Sequence, residues 1–119
     1  DSSTREFGAY GKGSQVFDEG IYTALNYPAT IPTFVAKGLP LVMFIGVGDD
    51  EKALPDPAQA AHDLDYEAHT LYNRMRRVPL VDAQLRVING SHNWDTWRPT
   101  FVEGIQYVFE RLAAPAPKR

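Results

Sequence analysis

The stretch Leu39-Pro-Leu-Val-Met-Phe-Ile-Gly-Val-Gly-Asp-Asp-Glu51 decides how the chain is read. Leu41 to Ile45 is an unbroken apolar run, and it predicts a strand over Leu39–Val47. A strand with one solvated face alternates, whereas one buried on both faces is apolar throughout and belongs to a parallel sheet covered by helices. Gly46-Val47-Gly48 ends the run, and the acids Asp49, Asp50 and Glu51 predict a loop directly after it.

Towards the C-terminus, Pro55 and Pro57 lead into a predicted helix over 57–77. Its Ala61, Leu64, Ala68, Leu71 and Met75 recur at spacings of three and four, which makes one apolar stripe. Val78-Pro79 stops it, and residues 83–88 read as a second strand with Leu85 and Val87 on one face. Asn89 to Asn93 is a predicted loop, and a last helix runs from Trp94 or Asp95 to Leu112. Trp94, Trp97, Phe101, Ile105, Val108 and Leu112 are its expected buried stripe, with Pro99 tolerated in the first turn. Residues 113–119 form a tail.

Towards the N-terminus, residues 1–15 read as loop and 16–26 as a short helix, with Ile21 and Leu25 four apart. Asn26-Tyr27-Pro28 ends that helix, because the residue before a proline is disfavoured in the α region. Residues 29–38 hold one more helical turn, closed by Gly38. The alternation of helix and strand defines an α/β protein with a parallel sheet. The expected organisation is a single domain over 1–119, with a variable segment at 1–38 and a strand–helix–strand–helix body at 39–112. Two strands leave open edges and too little surface for three helical stripes. Further strands are therefore expected from an adjoining polypeptide or a separate chain. The first residue, Asp1, suggests processing or a piece of something longer.

Composition narrows the functional classes. The net charge of −3 carries none of the basic footprint of a nucleic-acid binder. No apolar run reaches the roughly 18 residues that a bilayer span needs. Cysteine is absent, which excludes disulfides and thiolate metal sites.

In open parallel sheets the reactive groups sit just past the C-terminal ends of strands. Asp49-Asp50-Glu51 and Ser91-His92-Asn93 occupy those places, and a crossover helix brings such loops together. A carboxylate there can hydrogen-bond His92, fix its tautomer and stabilise its imidazolium. An acid and then a histidine, each after its own strand, is the tail of the Ser…Asp/Glu…His order of α/β hydrolases.

These residues resemble one branch of that superfamily. Val42-Met-Phe-Ile-Gly-Val-Gly-Asp-Asp-Glu51 is similar to its acid-bearing strand and turn, and Asn89-Gly-Ser-His-Asn-Trp-Asp-Thr-Trp97 to its histidine loop. The branch includes S-formylglutathione hydrolases, feruloyl and acetyl esterases, enterochelin-esterase-like proteins and mycolyltransferases. The similarity extends from about Phe17 to Leu112 and implies the C-terminal half of an α/β-hydrolase fold. It implies a serine esterase with His92 as general base. Asp49 matches the acid when Gly-x-x-Asp is read from Gly46, Asp50 stands beside it, and Glu51 fits when the frame starts at Gly48. No Gly-x-Ser-x-Gly elbow occurs: Ser14 lacks the second glycine and a preceding strand, and Ser91 is too close to His92 in sequence. The resemblance therefore implies an N-terminal half elsewhere that carries the serine and the oxyanion hole, and a small-molecule or sugar ester as substrate. It implies no cofactor, places residues 7–38 at the substrate pocket, and suggests an extracellular or envelope site, with the cytoplasm as the alternative. Acyl transfer to a sugar, as in mycolyltransferases, and a non-catalytic binding or structural subunit are the competing readings.

Several of these residues have plainer roles. Trp94 and Trp97 either anchor the last helix or present faces to a sugar or aromatic acyl group. His62 and His69, seven apart, are a solvated helix flank rather than a metal site. The arginines at 74, 76 and 77 suit a helix C-terminus. Gly46-Val-Gly48 lacks the lysine of a phosphate-binding loop.

Overall fold

The computed structural model describes residues 10, 11, 13–52 and 57–113, with the side chains of Gln59, Ala61 and His62 excepted. The expected loop at 1–9, Lys12, Pro55 and the tail from residue 114 lie outside the described residues. The chain is mixed α/β and divides into two compact units at Leu39–Pro40.

The first unit holds α1 (Glu19–Leu25) and α2 (Tyr27–Ala36). Asp18 caps α1 by accepting the Ile21 amide at 2.9 Å, which satisfies a first-turn donor that has no helical partner. Asn26 ends α1, as the proline spacing predicts, and its side chain accepts the Tyr27 amide to start α2. This second helix is longer than the single turn expected, because Pro28 falls at its start, where no N–H is needed. Gly38 follows it with φ +64°. Tyr10, Phe17 and Tyr22 pack ring against ring beside α1.

The second unit runs β1 (Leu41–Asp50), a 3-10 turn (Pro57–His62), α3 (Leu64–Met75), β2 (Val81–Ser91) and α4 (Trp94–Ala113). The strands are parallel neighbours, in register from Leu41 opposite Val81 to Gly48 opposite Ile88. Both extend past their predicted ends, at Val47 and Ile88, because each supplies the other's backbone partners. Register then slips: Asp50 faces Ser91, so Asn89 and Gly90 together oppose Asp49 alone. The Asp49 carboxylate fills this bulge, accepting from Asn89 Nδ2 at 2.7 Å and the Gly90 amide at 2.9 Å.

The single helix expected over 57–77 is broken at Asp63, whose ψ of 145° separates the 3-10 turn from α3. Positions 62 and 69 therefore lie on separate helical segments. The His69 ring instead bonds the Asp65 carbonyl at 2.8 Å. Ala68 and Met75 of the predicted stripe are buried, and Leu64 and Leu71 partly so.

The stripe expected on α4 is overturned. Its buried residues are Thr96, Thr100, Gly104 and Tyr107, while Trp94, Phe101, Ile105 and Leu112 are exposed, with Phe101 and Phe109 both at 67%. Glycines on the strands explain this choice. A Cβ at Gly46 would stand 2.7 Å from Thr100 Cβ, so the helix lies on the sheet through small residues that larger ones could not replace. Pro99 falls beyond the first turn and leaves the carbonyl four residues back without its helical donor.

At the far end of the sheet Tyr107 donates its phenol to Asp82 Oδ1, while Arg111 Nε meets Asp82 Oδ2 at 2.8 Å and its guanidinium covers the Tyr107 ring. Burial raises the Tyr107 pKa above the ordinary phenol value, and the Asp82 hydrogen bond and charge add to this. The folded state thus holds that proton more tightly than the unfolded chain does. Its contribution is complete below about pH 10 and is lost as pH rises through the folded-state value. Tyr107→Phe is expected to cost about 1–2 kcal/mol in urea denaturation at neutral pH, and the gap from the parent protein should shrink in strong alkali.

Candidate functional site

The two strands deliver their ends side by side, and α4 starts there. Its first turn is capped by Asn93, whose Oδ1 accepts the amides of Asp95 at 3.0 Å and Thr96 at 3.3 Å. Three glycine-lined approaches make this junction tight. A Cβ at Gly48 would stand 2.3 Å from the Gly90 carbonyl oxygen and 2.8 Å from Thr96 Cγ2, and one at Gly90 would stand 2.2 Å from Thr96 Oγ1.

Glu51, the residue after β1, is 3% exposed. Burying a carboxylate is costly unless donors replace its water, and three do so here. The Gly48 amide donates to Oε1 at 2.6 Å, His92 Nδ1 lies 2.8 Å from Oε2, and Trp97 Nε1 donates to the same Oε2 at 3.3 Å. An ionised carboxylate only accepts, so Nδ1 carries the ring proton and Nε2 keeps its lone pair in the neutral imidazole. The His92 side chain is 59% exposed, and its Nε2 has no hydrogen bond among the described residues. This is the arrangement of a general base: one ring nitrogen oriented by an acid, the other free to take a proton.

Of the candidate acids, Glu51 is the one beside His92. Asp49 is engaged in the β2 bulge, and Asp50 forms an exposed ion pair with Lys52 at 3.0 Å. The Lys52 hydrogen bond and charge hold the Asp50 carboxyl below its usual range. Ser91 Oγ points to Asp50 Oδ2 at 3.4 Å, and Ser14 sits in an exposed turn of the first unit. Trp94, 68% exposed, meets the Trp97 ring edge-on at 5.3 Å, and Trp97 in turn meets the His92 ring at 4.6 Å.

The role of Trp97 as a donor to the acid was not legible beforehand; its spacing of five from His92 was the available signal. Beside it an open groove of about 460 Å³ runs along α4, lined by Phe44, Phe101, Ile105 and Phe109 among others. Among the described residues no group of three or more His, Cys, Asp or Glu side chains is arranged to hold a metal ion, and no helix is long and apolar enough to cross a membrane. Comparison with known protein families, with curated proteins and with solved structures returns no match.

Proposed function

We propose that this chain is the acid–histidine portion of a serine esterase of the α/β-hydrolase type, with Glu51 as the acid and His92 as the general base. The observation that carries the proposal is the buried Glu51 carboxylate bonded to His92 Nδ1 at the C-terminal ends of adjacent parallel strands. In the proposed reaction His92 Nε2 takes the proton of a serine hydroxyl as its oxygen attacks the ester carbonyl. The imidazolium, stabilised by Glu51, then protonates the departing alcohol. Water, activated by the same nitrogen, releases the acid and frees the serine. Serine and oxyanion hole come from polypeptide outside this sequence. The exposed apolar face of α4 supports such a partner, since contiguous patches of this kind mark surfaces that something covers.

A fluorophosphonate probe applied to the native assembly tests the reading. A serine of the partner should be labelled, and His92→Ala should abolish labelling. Unchanged labelling in that variant removes His92 from the chemistry. Acyl transfer to a sugar is the second reading, favoured by the exposed Trp94 indole, which packs on the Trp97 ring that meets His92 and offers a surface on which a sugar ring can stack. Product analysis with and without a sugar acceptor separates the two. A partner without a reactive serine would instead identify a binding or structural subunit.

A further inference from the structure

We infer that Trp97 is a positioning residue for the Glu51–His92 pair, acting through its indole N–H rather than through packing alone. Its catalytic consequence rests on the esterase reading; the geometric statement does not. The Glu51 carboxylate is fixed at two ends by two different elements. The Gly48 amide of β1 holds Oε1, and the indole of α4 holds Oε2, the oxygen that also faces His92. Together with His92 Nδ1, these two donors fix the plane and the direction of the carboxylate. His92 lies after the end of β2 on an exposed turn and has little else to orient it. Trp97 touches both partners, because its ring also stands edge-on to the imidazole, at an interplanar angle of 79°.

A carboxylate with one donor at each oxygen keeps a rotational freedom that a second donor at Oε2 removes. The Trp97 distance of 3.3 Å is at the long end for N–H···O, as expected where two donors share one acceptor atom. Packing offers the competing explanation, since Trp97 also lines the groove along α4. A test must therefore remove the N–H and keep the bicycle.

The test uses the full chain in whatever assembly it is isolated, with position 97 carrying the benzothienyl analogue of tryptophan, in which sulfur replaces N–H. The readouts are NMR signals of the His92 ring protons and of the indole protons. With the analogue the fold should be kept, while the His92 Nδ1 proton exchanges with water roughly 5- to 10-fold faster, the loss associated with one hydrogen bond. In the unmodified protein the Trp97 indole proton should shift as His92 titrates, and that of Trp94 should not. Trp97→Phe should reproduce the faster exchange. If that variant fails to fold, the analogue, which keeps the bicycle, still decides. Unchanged exchange with the analogue, or a Trp97 indole proton silent throughout the His92 titration, overturns the inference. Failure of the esterase reading appears separately, as an absence of fluorophosphonate labelling while the NMR couplings persist.

Discussion

On the proposed esterase reading, Glu51→Gln is expected to slow acylation by about 10³- to 10⁴-fold, the scale on which a triad responds to loss of its acid. The mechanism is a change of tautomer. A glutamine amide can donate to His92 Nδ1, which forces the ring proton onto Nε2, the nitrogen that must accept one. Asp49→Asn should keep the rate within about tenfold, because it weakens only the hydrogen bonds that fill the β2 bulge. Rates of fluorophosphonate labelling measured side by side decide the matter. A large loss in Asp49→Asn with little change in Glu51→Gln would make Asp49 the acid and Glu51 a structural residue.

The second large effect concerns stability. Gly48→Ala is expected to cost about 3 kcal/mol or more, at the upper end of overpacking. Its Cβ would meet the Gly90 carbonyl at 2.3 Å, and backbone cannot swing aside as a side chain can. Gly90→Ala meets Thr96 Oγ1 at 2.2 Å, a side-chain atom. Adding Thr96→Ala should therefore recover part of the loss at Gly90 and little of the loss at Gly48. Urea denaturation of the four variants measures both. A Gly48→Ala protein with an unchanged midpoint would mean that the strand ends are not so closely packed.

The order of elements was legible because the 41–45 run and the α3 spacing are local signals. The choice of face on α4 was not. Two stripes wind around that helix: one of Thr96, Thr100, Gly104 and Tyr107, the other of Trp97, Phe101, Ile105 and Phe109. Hydropathy favours the second. The sheet takes the first, because Gly46, Gly48 and Gly90 invite close approach and Gly104 leaves room for the Phe44 ring. Glycines on both strands, matched by small residues four apart on the following helix, were the missed clue.

Which of the three carboxylates lies beside His92 was not legible for a related reason. Ending β1 at Val47 made residues 49–51 an equivalent loop. With the strand continued to Asp50, the bulge at Asn89-Gly90 sets which carboxylate meets His92, and a bulge depends on pairing that no single segment encodes. The pair of loops itself was foreseeable, since parallel strands joined by one crossover bring their ends together.

The crowding around Gly48 also has a genealogical consequence. Positions where no methyl group fits, or where one polar atom serves the acid, can drift little without losing the arrangement. Descendants of a common ancestor that preserve it should share Gly46-x-Gly48-x-x-Glu51, followed at variable distance by Gly90-x-His92-x-x-x-Thr96-Trp97-x-x-Thr100-x-x-x-Gly104. A spaced signature of this kind can reveal distant kin whose remaining sequence has diverged beyond ordinary alignment.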